Sequence, residues 1–286
     1  MIISGTELSK KYRVELKNEI EVLAKKHGRV PHLVVILVGN NPASLSYVKN
    51  KDKACLDVGI KCTTIIKSEN ITEKELIDVI HELNSDNNVD GILVQLPLPK
   101  HINENTILSA IKHWKDVDGF NPFNVGALWQ KQKCIYPCTP KGIVRLIKST
   151  NIPIEGKHAV VLGRSNIVGL PISKLLLDEN ATVTIAHSKT QNLKEITKTA
   201  DILVVAIGKM GFVTSDMVKD GSIIIDVGIN RNPTTGKIEG DVKINSEEIE
   251  SKNLFLTPVP GGVGPMTITC LLENTVECYQ RNMLFV

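Results

Sequence analysis

Two residues in the first half of the chain, Tyr47 and Lys51, have types and a spacing that suit acid–base chemistry. They lie four positions apart in SLSYVKNKDKACLDVG, so on a helix both side chains project from one face and can reach a shared ligand or each other. A lysine can transfer protons near neutral pH once burial lowers its pKa. The alternative is that Lys51, like its neighbours Lys49 and Lys53, is a solvated lysine on a helix surface.

Two further polar residues are candidates for the same site. Gln95 stands at the carboxyl end of the apolar run DGILVQL, which is where open α/β sheets bind their ligands. Asp118 lies in the segment KDVDGFNP. Each residue also has a plainer interpretation, because a glutamine at a strand end can bond to backbone and an Asp-Gly pair can simply form a turn.

A glycine turn in the second half, from Gly163 to Gly169, has features of a dinucleotide site. The strand-like run HAVVLG ends at Gly163, and an apolar helix-like segment follows Gly169. At such a helix start, free backbone N–H groups can bind a pyrophosphate. The turn lacks the middle glycine of G-x-G-x-x-G and is one residue longer. An ordinary connection between a strand and a helix is therefore the alternative.

The residues around this turn favour NADP over NAD. The next strand-like run, ATVTIAH, ends at His187-Ser188, where NAD-binding folds place an acidic residue for the ribose 2′-hydroxyl. The absence of that carboxylate, together with Arg164 in the turn and Ser188 at the strand end, suits a 2′-phosphate. Arg164 as a solvated turn residue is the other interpretation.

A second glycine-rich segment, TPVPGGVGP, contains Pro260, Gly261, Gly262 and Val263. Its bare backbone permits close approach of a flat ligand, or an unusual turn before a helix.

The elements that position these residues follow a βαβ rhythm. Short apolar runs alternate with amphipathic segments from HLVVILV to DGILVQL, and the pattern restarts after Thr139 with nearly continuous Val, Ile and Ala runs. Such runs are typical of parallel strands that are buried on both faces. We therefore predict an α/β fold with an N-terminal α/β catalytic domain and a Rossmann-like, doubly wound nucleotide-binding domain.

The length of 286 residues predicts two domains sharing a cleft. We place a substrate-binding catalytic domain at residues 1–138 and the nucleotide-binding domain at residues 139–266. A final helix, residues 267–286, returns to the first domain. The stretch from Asp116 to Cys138, rich in Gly, Pro and Asn, is expected to be an irregular linker that carries functional loops.

Composition narrows the classes of partner. The formal net charge is +3 and no long run of like charge occurs, so the sequence predicts no nucleic-acid or membrane partner and favours a small molecule. No signal peptide is apparent at the amino terminus. The scattered cysteines form no CxxC pair, which favours reduced thiols in a cytoplasmic protein and no metal site. They are Cys55, Cys62, Cys134, Cys138, Cys270 and Cys278.

Taken together, the motifs resemble one enzyme family along nearly the whole chain. They are the segment Tyr47-Val-Lys-Asn-Lys51, DGILVQLPLP, KDVDGFNP, the CTP-x-G of Cys138 to Gly142, GRSNIVGLP, HSKT, DVGIN and TPVPGGVGPMT. This order is similar to that of the methylenetetrahydrofolate dehydrogenase/methenyltetrahydrofolate cyclohydrolase family, in its compact bacterial-type bifunctional form.

The resemblance implies NADP-dependent oxidation of 5,10-methylene-tetrahydrofolate, then hydrolysis of the methenyl product to 10-formyl-tetrahydrofolate. It also implies a homodimer working in one-carbon metabolism and purine biosynthesis. By position, Lys51 is the central catalytic residue, Tyr47 and Gln95 support it, and Asp118 holds the pterin. The matching cofactor contacts are Gly163, Arg164, Ser165, Ser188 and Ile229, and the matching folate-lining residues include Pro260, Gly261, Gly262 and Val263.

The sequence also allows three other interpretations. Tyr-x-x-x-Lys is also the catalytic pair of short-chain dehydrogenases, but there the pair follows the glycine turn, whereas Tyr47 and Lys51 precede Gly163. A binding module that has lost its chemistry would not need to keep Lys51, Gln95 and Asp118. A dehydrogenase without the hydrolytic step is less firmly excluded, because both reactions would use one site.

Overall fold

The computed structural model describes residues 1–283; at positions 42, 43 and 46 it describes the backbone alone. Residues 284–286 of the predicted last helix lie outside the described residues. The chain forms two compact units. We call residues 11–138, together with the chain from Ile268 onward, the first unit, and we call Met1–Lys10 with Thr139–Thr267 the second unit.

Helices and strands alternate along most of the chain. The helices are α1 (Gly5–His27), α2 (Pro42–Val58), α3 (Glu73–Ser85), α4 (Glu104–Ala110), α5 (Pro122–Trp129), α6 (Cys138–Lys148), α7 (Gly169–Asp178), α8 (Leu193–Thr197), α9 (Ser246–Ser251) and α10 (Val263–Asn282), with a 3₁₀ turn at Ser215–Met217. The strands are β1 (His32–Val38), β2 (Lys61–Lys67), β3 (Gly91–Val94), β4 (His158–Leu162), β5 (Thr182–Ala186), β6 (Ile202–Val205), β7 (Val213–Thr214), β8 (Ile223–Asp226), β9 (Asn230–Arg231), β10 (Ile238–Glu239), β11 (Val242–Lys243) and β12 (Phe255–Leu256).

The first unit is built on a parallel sheet of order β2-β1-β3. Every residue of the central strand β1 is buried, and successive side chains enter opposite cores because a strand alternates its faces. Leu33, Val35 and Leu37 pack in a cluster with residues of α2 and α10, whereas Val34 and Ile36 pack in a cluster with residues of α3. The sheet is therefore covered on both faces.

The second unit carries a five-stranded parallel sheet of order β12-β8-β6-β4-β5. The chain passes from β4 to β5 on one side and then crosses to β6 on the other. The point where this order reverses lies between the carboxyl ends of β4 and β6, which is the usual ligand-binding position in doubly wound sheets. The predicted α/β class and Rossmann-like second domain are confirmed.

The first ten residues belong to the second unit, although the sequence analysis placed them in the first domain. Ile2 forms a parallel bridge with Leu256, and the N–H of Ile3 donates to the carbonyl of Leu256 at 2.9 Å. The N–H of Leu256 donates to the carbonyl of Met1 at 3.0 Å. Backbone pairing along the edge strand β12 thus holds the amino terminus. The sequence pattern does not predict this pairing, because it uses backbone groups and not side chains.

Two predicted loop segments contain helix. The stretch expected to be an irregular linker includes α5, which starts at Pro122 with Asn121 as its N-cap. The last helix, α10, begins at Val263, so Val263 is helical and not part of the preceding loop. In the chain as far as residue 283, no helix combines the length and the apolar character that a membrane crossing requires.

Candidate functional site

Helix α2 places Lys51 in the interior of the first unit. Its inward side carries Val48, Ala54 and Cys55, which are buried in the core. Lys51 is on this side and only 6% exposed, whereas Lys49 and Lys53 face the solvent. The interpretation of Lys51 as a solvated surface lysine is therefore wrong.

Gln95 meets Lys51 at the end of strand β3. The backbone N–H of Gln95 donates to the carbonyl of Ile36 at 2.9 Å, which continues the pairing of β3 with β1. Its side-chain Nε2 donates to the carbonyl of Leu96 at 2.8 Å, and Oε1 accepts a 2.8 Å hydrogen bond from Nζ of Lys51. Because Nε2 already has a partner, the oxygen of the amide is the atom that faces the lysine.

The surroundings of Lys51 favour its neutral form. Burial lowers the pKa of Lys51, and the nearby carboxylate of Asp118 opposes that change. Nζ of Lys51 lies 5.3 Å from the centre of the Tyr47 ring. Burial and the charge of Asp118 raise the pKa of Tyr47, so Tyr47 remains a neutral phenol. A lysine whose pKa is lowered by burial is suited to accepting and releasing a proton.

Asp118 belongs to the same cluster. Burial raises the pKa of its carboxyl, while the charge of Lys51 and a hydrogen bond with the Cys138 thiol act in the opposite direction. The Cys138 thiol also lies 3.2 Å from the carbonyl of Val117, to which it donates. The structure thus brings together Tyr47, Lys51, Gln95 and Asp118, which the sequence analysis had selected from three separate segments.

Asp116 is the anchor of the loop that carries Asp118, and sequence reasoning did not single it out. Its carboxylate accepts from the N–H of Gly119 at 3.0 Å and the N–H of Asn121 at 2.7 Å. It also accepts from Nδ2 of Asn124 at 2.9 Å. Burial raises the pKa of Asp116 to about 6 although these bonds act to lower it. The first aspartate of KDVDG therefore holds the loop, and the second faces Lys51.

Asn274, on helix α10, fixes both chain segments beside Asp118. It is fully buried, and its Nδ2 donates to the carbonyls of Val117 and Tyr136, each at 2.8 Å. Gly119, in the first of these segments, has φ +71°. A Cβ on it would lie 2.6 Å from the carbonyl oxygen of Ile135 in the second segment. The available signal was weak: one amide side chain in ITCLLENTV, beside other polar residues of the same stretch.

The glycine turn of the second unit lies at the reversal point of the sheet. Gly163 follows β4 with φ +129°, a conformation that side chains rarely adopt. A Cβ on Gly163 would overlap the carbonyl oxygen of Ala206, which follows β6. A Cβ on Gly169 would likewise overlap the carbonyl of Gly163. The two glycines therefore allow the turn to close tightly between the two strand ends.

Several N–H groups of this turn have partners inside it. Oγ of Ser165 accepts from the N–H of Val168 at 3.2 Å and of Gly169 at 3.3 Å. The N–H of Leu170 donates to the carbonyl of Ser165 at 3.0 Å. These groups are not free for a pyrophosphate, contrary to the expectation for a helix start. A bound phosphate requires other donors of the turn, and Ser165 keeps its hydroxyl hydrogen to donate.

Three exposed side chains stand at the same edge of the sheet. Arg164 and Ser188 are exposed, and each lies two residues beyond the paired strand ends Leu162 and Ala186. Ile229, beyond the end of β8, is 57% exposed. A cation, a hydroxyl and an apolar side chain at the carboxyl ends of three strands fit the phosphate and ring groups of a dinucleotide. The closely packed glycines of the turn allow its backbone to approach such a dinucleotide.

The glycine-rich loop before α10 is packed against the amino terminus. The N–H of Thr6 donates to the carbonyl of Gly261 at 2.9 Å, and a Cβ on Gly5 would overlap the carbonyl of Gly262. Pro260 is exposed, whereas Val263 is only 6% exposed. Of the predicted folate-lining residues in this loop, Pro260 and Gly261 therefore present accessible surface.

Comparison with known proteins gives a consistent result for both parts of the chain. Residues 3–118 match the tetrahydrofolate dehydrogenase/cyclohydrolase catalytic domain, and residues 137–283 match the NAD(P)-binding domain of the same family. The bifunctional protein FolD of Streptococcus agalactiae is 53% identical over 282 residues, which cover 99% of this chain and 98% of that protein.

Solved structures agree with the sequence matches. The bifunctional methylenetetrahydrofolate dehydrogenase/cyclohydrolase FolD of Campylobacter jejuni superposes with a TM-score of 0.94 at 50% identity, covering 98% of this chain and 99% of that one. The Trypanosoma brucei methylenetetrahydrofolate dehydrogenase-cyclohydrolase, solved with NADP and an inhibitor, has a TM-score of 0.92 at 36% identity. In that comparison 99% of this chain and 98% of that one are covered.

Proposed function

The chain belongs to the tetrahydrofolate dehydrogenase/cyclohydrolase family, and we propose that the cluster around Lys51 is the folate site of both its reactions. The enzyme oxidises 5,10-methylene-tetrahydrofolate to the 5,10-methenyl form with NADP and hydrolyses the product to 10-formyl-tetrahydrofolate. The observation that carries the site assignment is the buried Lys51, with Nζ 2.8 Å from Oε1 of Gln95.

The oxidation needs orientation more than a base. The carbon that loses hydride lies between two nitrogens, so the resulting cation is delocalised over both. A bound NADP would supply the hydride acceptor. The residues of the first unit then have to hold the folate in a fixed position relative to the cofactor. A neutral Lys51 also avoids charge repulsion with the methenyl cation, which the lowered pKa of this lysine favours.

The hydrolysis needs a group that transfers protons. Water adds to the cationic carbon and loses a proton, and one carbon–nitrogen bond then opens after a proton reaches that nitrogen. Lys51 in its neutral form accepts a hydrogen bond from the incoming water and takes its proton. Gln95 orients Lys51 through the bond between Oε1 and Nζ, and Tyr47 covers it on another side.

Asp118 is the proposed anchor of the pterin ring. A carboxylate accepts two parallel hydrogen bonds from an amino-pyrimidinone edge, as it does from other planar paired donors. Its loop is held by Asp116, so the carboxylate of Asp118 has a defined direction. Pro260, Gly261, Gly262 and Val263 are proposed to border the folate, with Pro260 and Gly261 offering the accessible surface.

The second unit is the proposed NADP site. Arg164 and Ser188, exposed at neighbouring strand ends, would bind the 2′-phosphate as a cation and a hydroxyl donor. Gly163 allows the turn to approach the cofactor, Ser165 donates its hydroxyl hydrogen, and Ile229 packs against a ring.

We also propose a cytoplasmic homodimer that supplies one-carbon units for purine biosynthesis and has no nucleic-acid partner. The near-balanced charge of +3 supports the last point, because nucleic-acid binding requires a concentrated basic surface. The stated dimer rests on family membership.

One assay tests the proposed function. Purified protein is mixed with 5,10-methylene-tetrahydrofolate and either NADP or NAD, and the reduced cofactor and the methenyl product are followed together by absorbance. We expect reduced NADP to form faster than reduced NAD, with the methenyl product rising and then decaying as it is hydrolysed. A methenyl product that accumulates without enzyme-dependent decay would indicate a dehydrogenase that lacks the hydrolytic step.

A further inference from the structure

We propose that Asp226 and Asp241 are positioning residues for the dehydrogenase reaction, because together they hold the two turns that follow strands β6 and β8. The inference rests on the proposed function in one respect, since it takes the carboxyl ends of these strands as part of the NADP site. Neither aspartate was selected from the sequence. Both are buried, with Asp226 3% exposed and Asp241 fully enclosed.

Asp226 uses both carboxylate oxygens as acceptors for backbone groups. Its Oδ1 accepts from the N–H of Gly228 and of Asp241, each at 2.9 Å. Its Oδ2 accepts from the N–H of Val242 at 2.9 Å. All three donors are backbone amides, so an ionised carboxylate satisfies them fully, whereas a side-chain amide would direct an NH₂ group at one of them.

Asp241 binds the backbone of the turn that follows β6. Its Oδ2 accepts from the N–H of Ile207 and of Gly208, each at 2.9 Å. Its Oδ1 accepts from Nδ2 of Asn230 at 2.9 Å. Because Asp241 itself donates its backbone N–H to Asp226, the two aspartates form one connected network that joins both turns.

Two glycines pack directly against the carboxylates of this network. A Cβ on Gly240 would overlap Oδ2 of Asp226, and a Cβ on Gly228 would lie 2.5 Å from Oδ1 of Asp241. Contacts this close show that each carboxylate is enclosed by backbone. A change in either aspartate therefore has to move the adjoining turns.

These turns carry the features that a bound cofactor would meet. Ile229, 57% exposed, lies between Gly228 and Asn230, and each of these neighbours donates to one of the two aspartates. The other turn starts at Ala206, whose carbonyl closes against Gly163 of the glycine turn. The network thus sets the position of Ile229 and of the strand end that adjoins the glycine turn.

Loss of this network should affect the dehydrogenase reaction and spare the hydrolysis. Hydride transfer depends on the position of the cofactor ring, whereas hydrolysis of added methenyl-tetrahydrofolate needs no cofactor chemistry. In Asp226→Asn we expect kcat/KM of the dehydrogenase reaction to fall by roughly 10- to 100-fold, the range for loss of a charged hydrogen bond, with a raised KM for NADP. Hydrolysis of methenyl-tetrahydrofolate, assayed without NADP, should stay within about twofold of wild type, because it does not depend on the position of the cofactor ring.

Exchanging the amide of Asn230 with the carboxylate of Asp241 provides a second test. This test does not depend on whether Asp226→Asn folds. Asn230→Asp alone places a carboxylate against Oδ1 of Asp241 and should lower dehydrogenase activity. Adding Asp241→Asn restores the pattern, because the new amide oxygen still serves Ile207 and Gly208 while its NH₂ donates to the new carboxylate at 230. We expect the double variant to recover most of the dehydrogenase activity that Asn230→Asp loses.

Asp216→Asn, at an exposed aspartate of the same unit, is the matched control and should leave both activities unchanged. The inference is overturned if Asp226→Asn leaves the dehydrogenase reaction intact, if it lowers both activities equally, or if the double variant is no better than Asn230→Asp. A wild-type protein without NADP-dependent oxidation would instead refute the proposed function.

Discussion

Nζ of Lys51 lies 2.8 Å from Oε1 of Gln95, so a buried lysine on helix α2 is tied to the end of strand β3. The glutamine amide is held in turn by the carbonyl of Leu96 at 2.8 Å. These two hydrogen bonds keep the direction of the amine constant, and Lys51 is the proposed proton acceptor.

Lys51→Met should remove most of the hydrolytic activity and leave more of the dehydrogenase activity. Methionine fills a similar buried volume but transfers no proton, and positioned acid–base groups contribute about 10²–10⁴-fold. The two rates are measured separately, one from added methenyl-tetrahydrofolate and one from NADP reduction. Lys49→Met, at an exposed position of the same helix, is the control. Equal loss of both rates with folate binding intact would contradict the acid–base role.

Asp118→Asn should shift the pH dependence of hydrolysis to lower pH. The carboxylate of Asp118 raises the pKa of Lys51 against the lowering effect of burial. Without that charge the pKa of Lys51 falls further, and the neutral, proton-accepting form appears at lower pH. The measurement is kcat for hydrolysis against pH at saturating folate, with the exposed Asp57→Asn as control. A rising limb that moves to higher pH would show that Lys51 does not act as the neutral base.

Arg164→Ala should raise the KM for NADP by roughly 10- to 100-fold, as expected for one charged hydrogen bond to a phosphate. The KM for NAD, which lacks the 2′-phosphate, should change little. Lys219→Ala is the matched control, because Lys219 pairs at 2.6 Å with Asp201, which precedes strand β6. If the ratio of the two KM values is unchanged, Arg164 is a solvated turn residue.

Asn274→Ala should lower both activities because it weakens folate binding, and it should leave NADP binding unchanged. The variant removes the donor to the carbonyls of Val117 and Tyr136, so the segments beside Asp118 lose a fixed spacing. We expect a raised KM for folate in both assays and a loss of about 1–3 kcal/mol in the free energy of unfolding by urea. Gln280→Ala, exposed on the same helix, serves as the reference. A normal folate KM would show that Asn274 contributes to stability alone.

The fold class followed from pattern because strand and helix periods are local properties. The fully buried β1 appeared as HLVVILV, and the restart after Thr139 marked the second parallel sheet. The position of the first ten residues did not follow, because their pairing with Leu256 joins backbone groups from opposite ends of the chain. The start of α10 at Val263 was also missed, because the glycines around it indicate a loop.

The sequence by itself determined the fold class and the family, and it predicted the residues proposed for the chemistry: Tyr47, Lys51, Gln95, Asp118 and Arg164. Tertiary structure alone decided that Lys51 is buried, which separates it from its solvated neighbours Lys49 and Lys53. It also revealed the supporting residues Asp116, Asn274, Asp226 and Asp241. Their partners are mostly backbone N–H and carbonyl groups, which every residue carries, so no residue type in the sequence marks where those bonds will form.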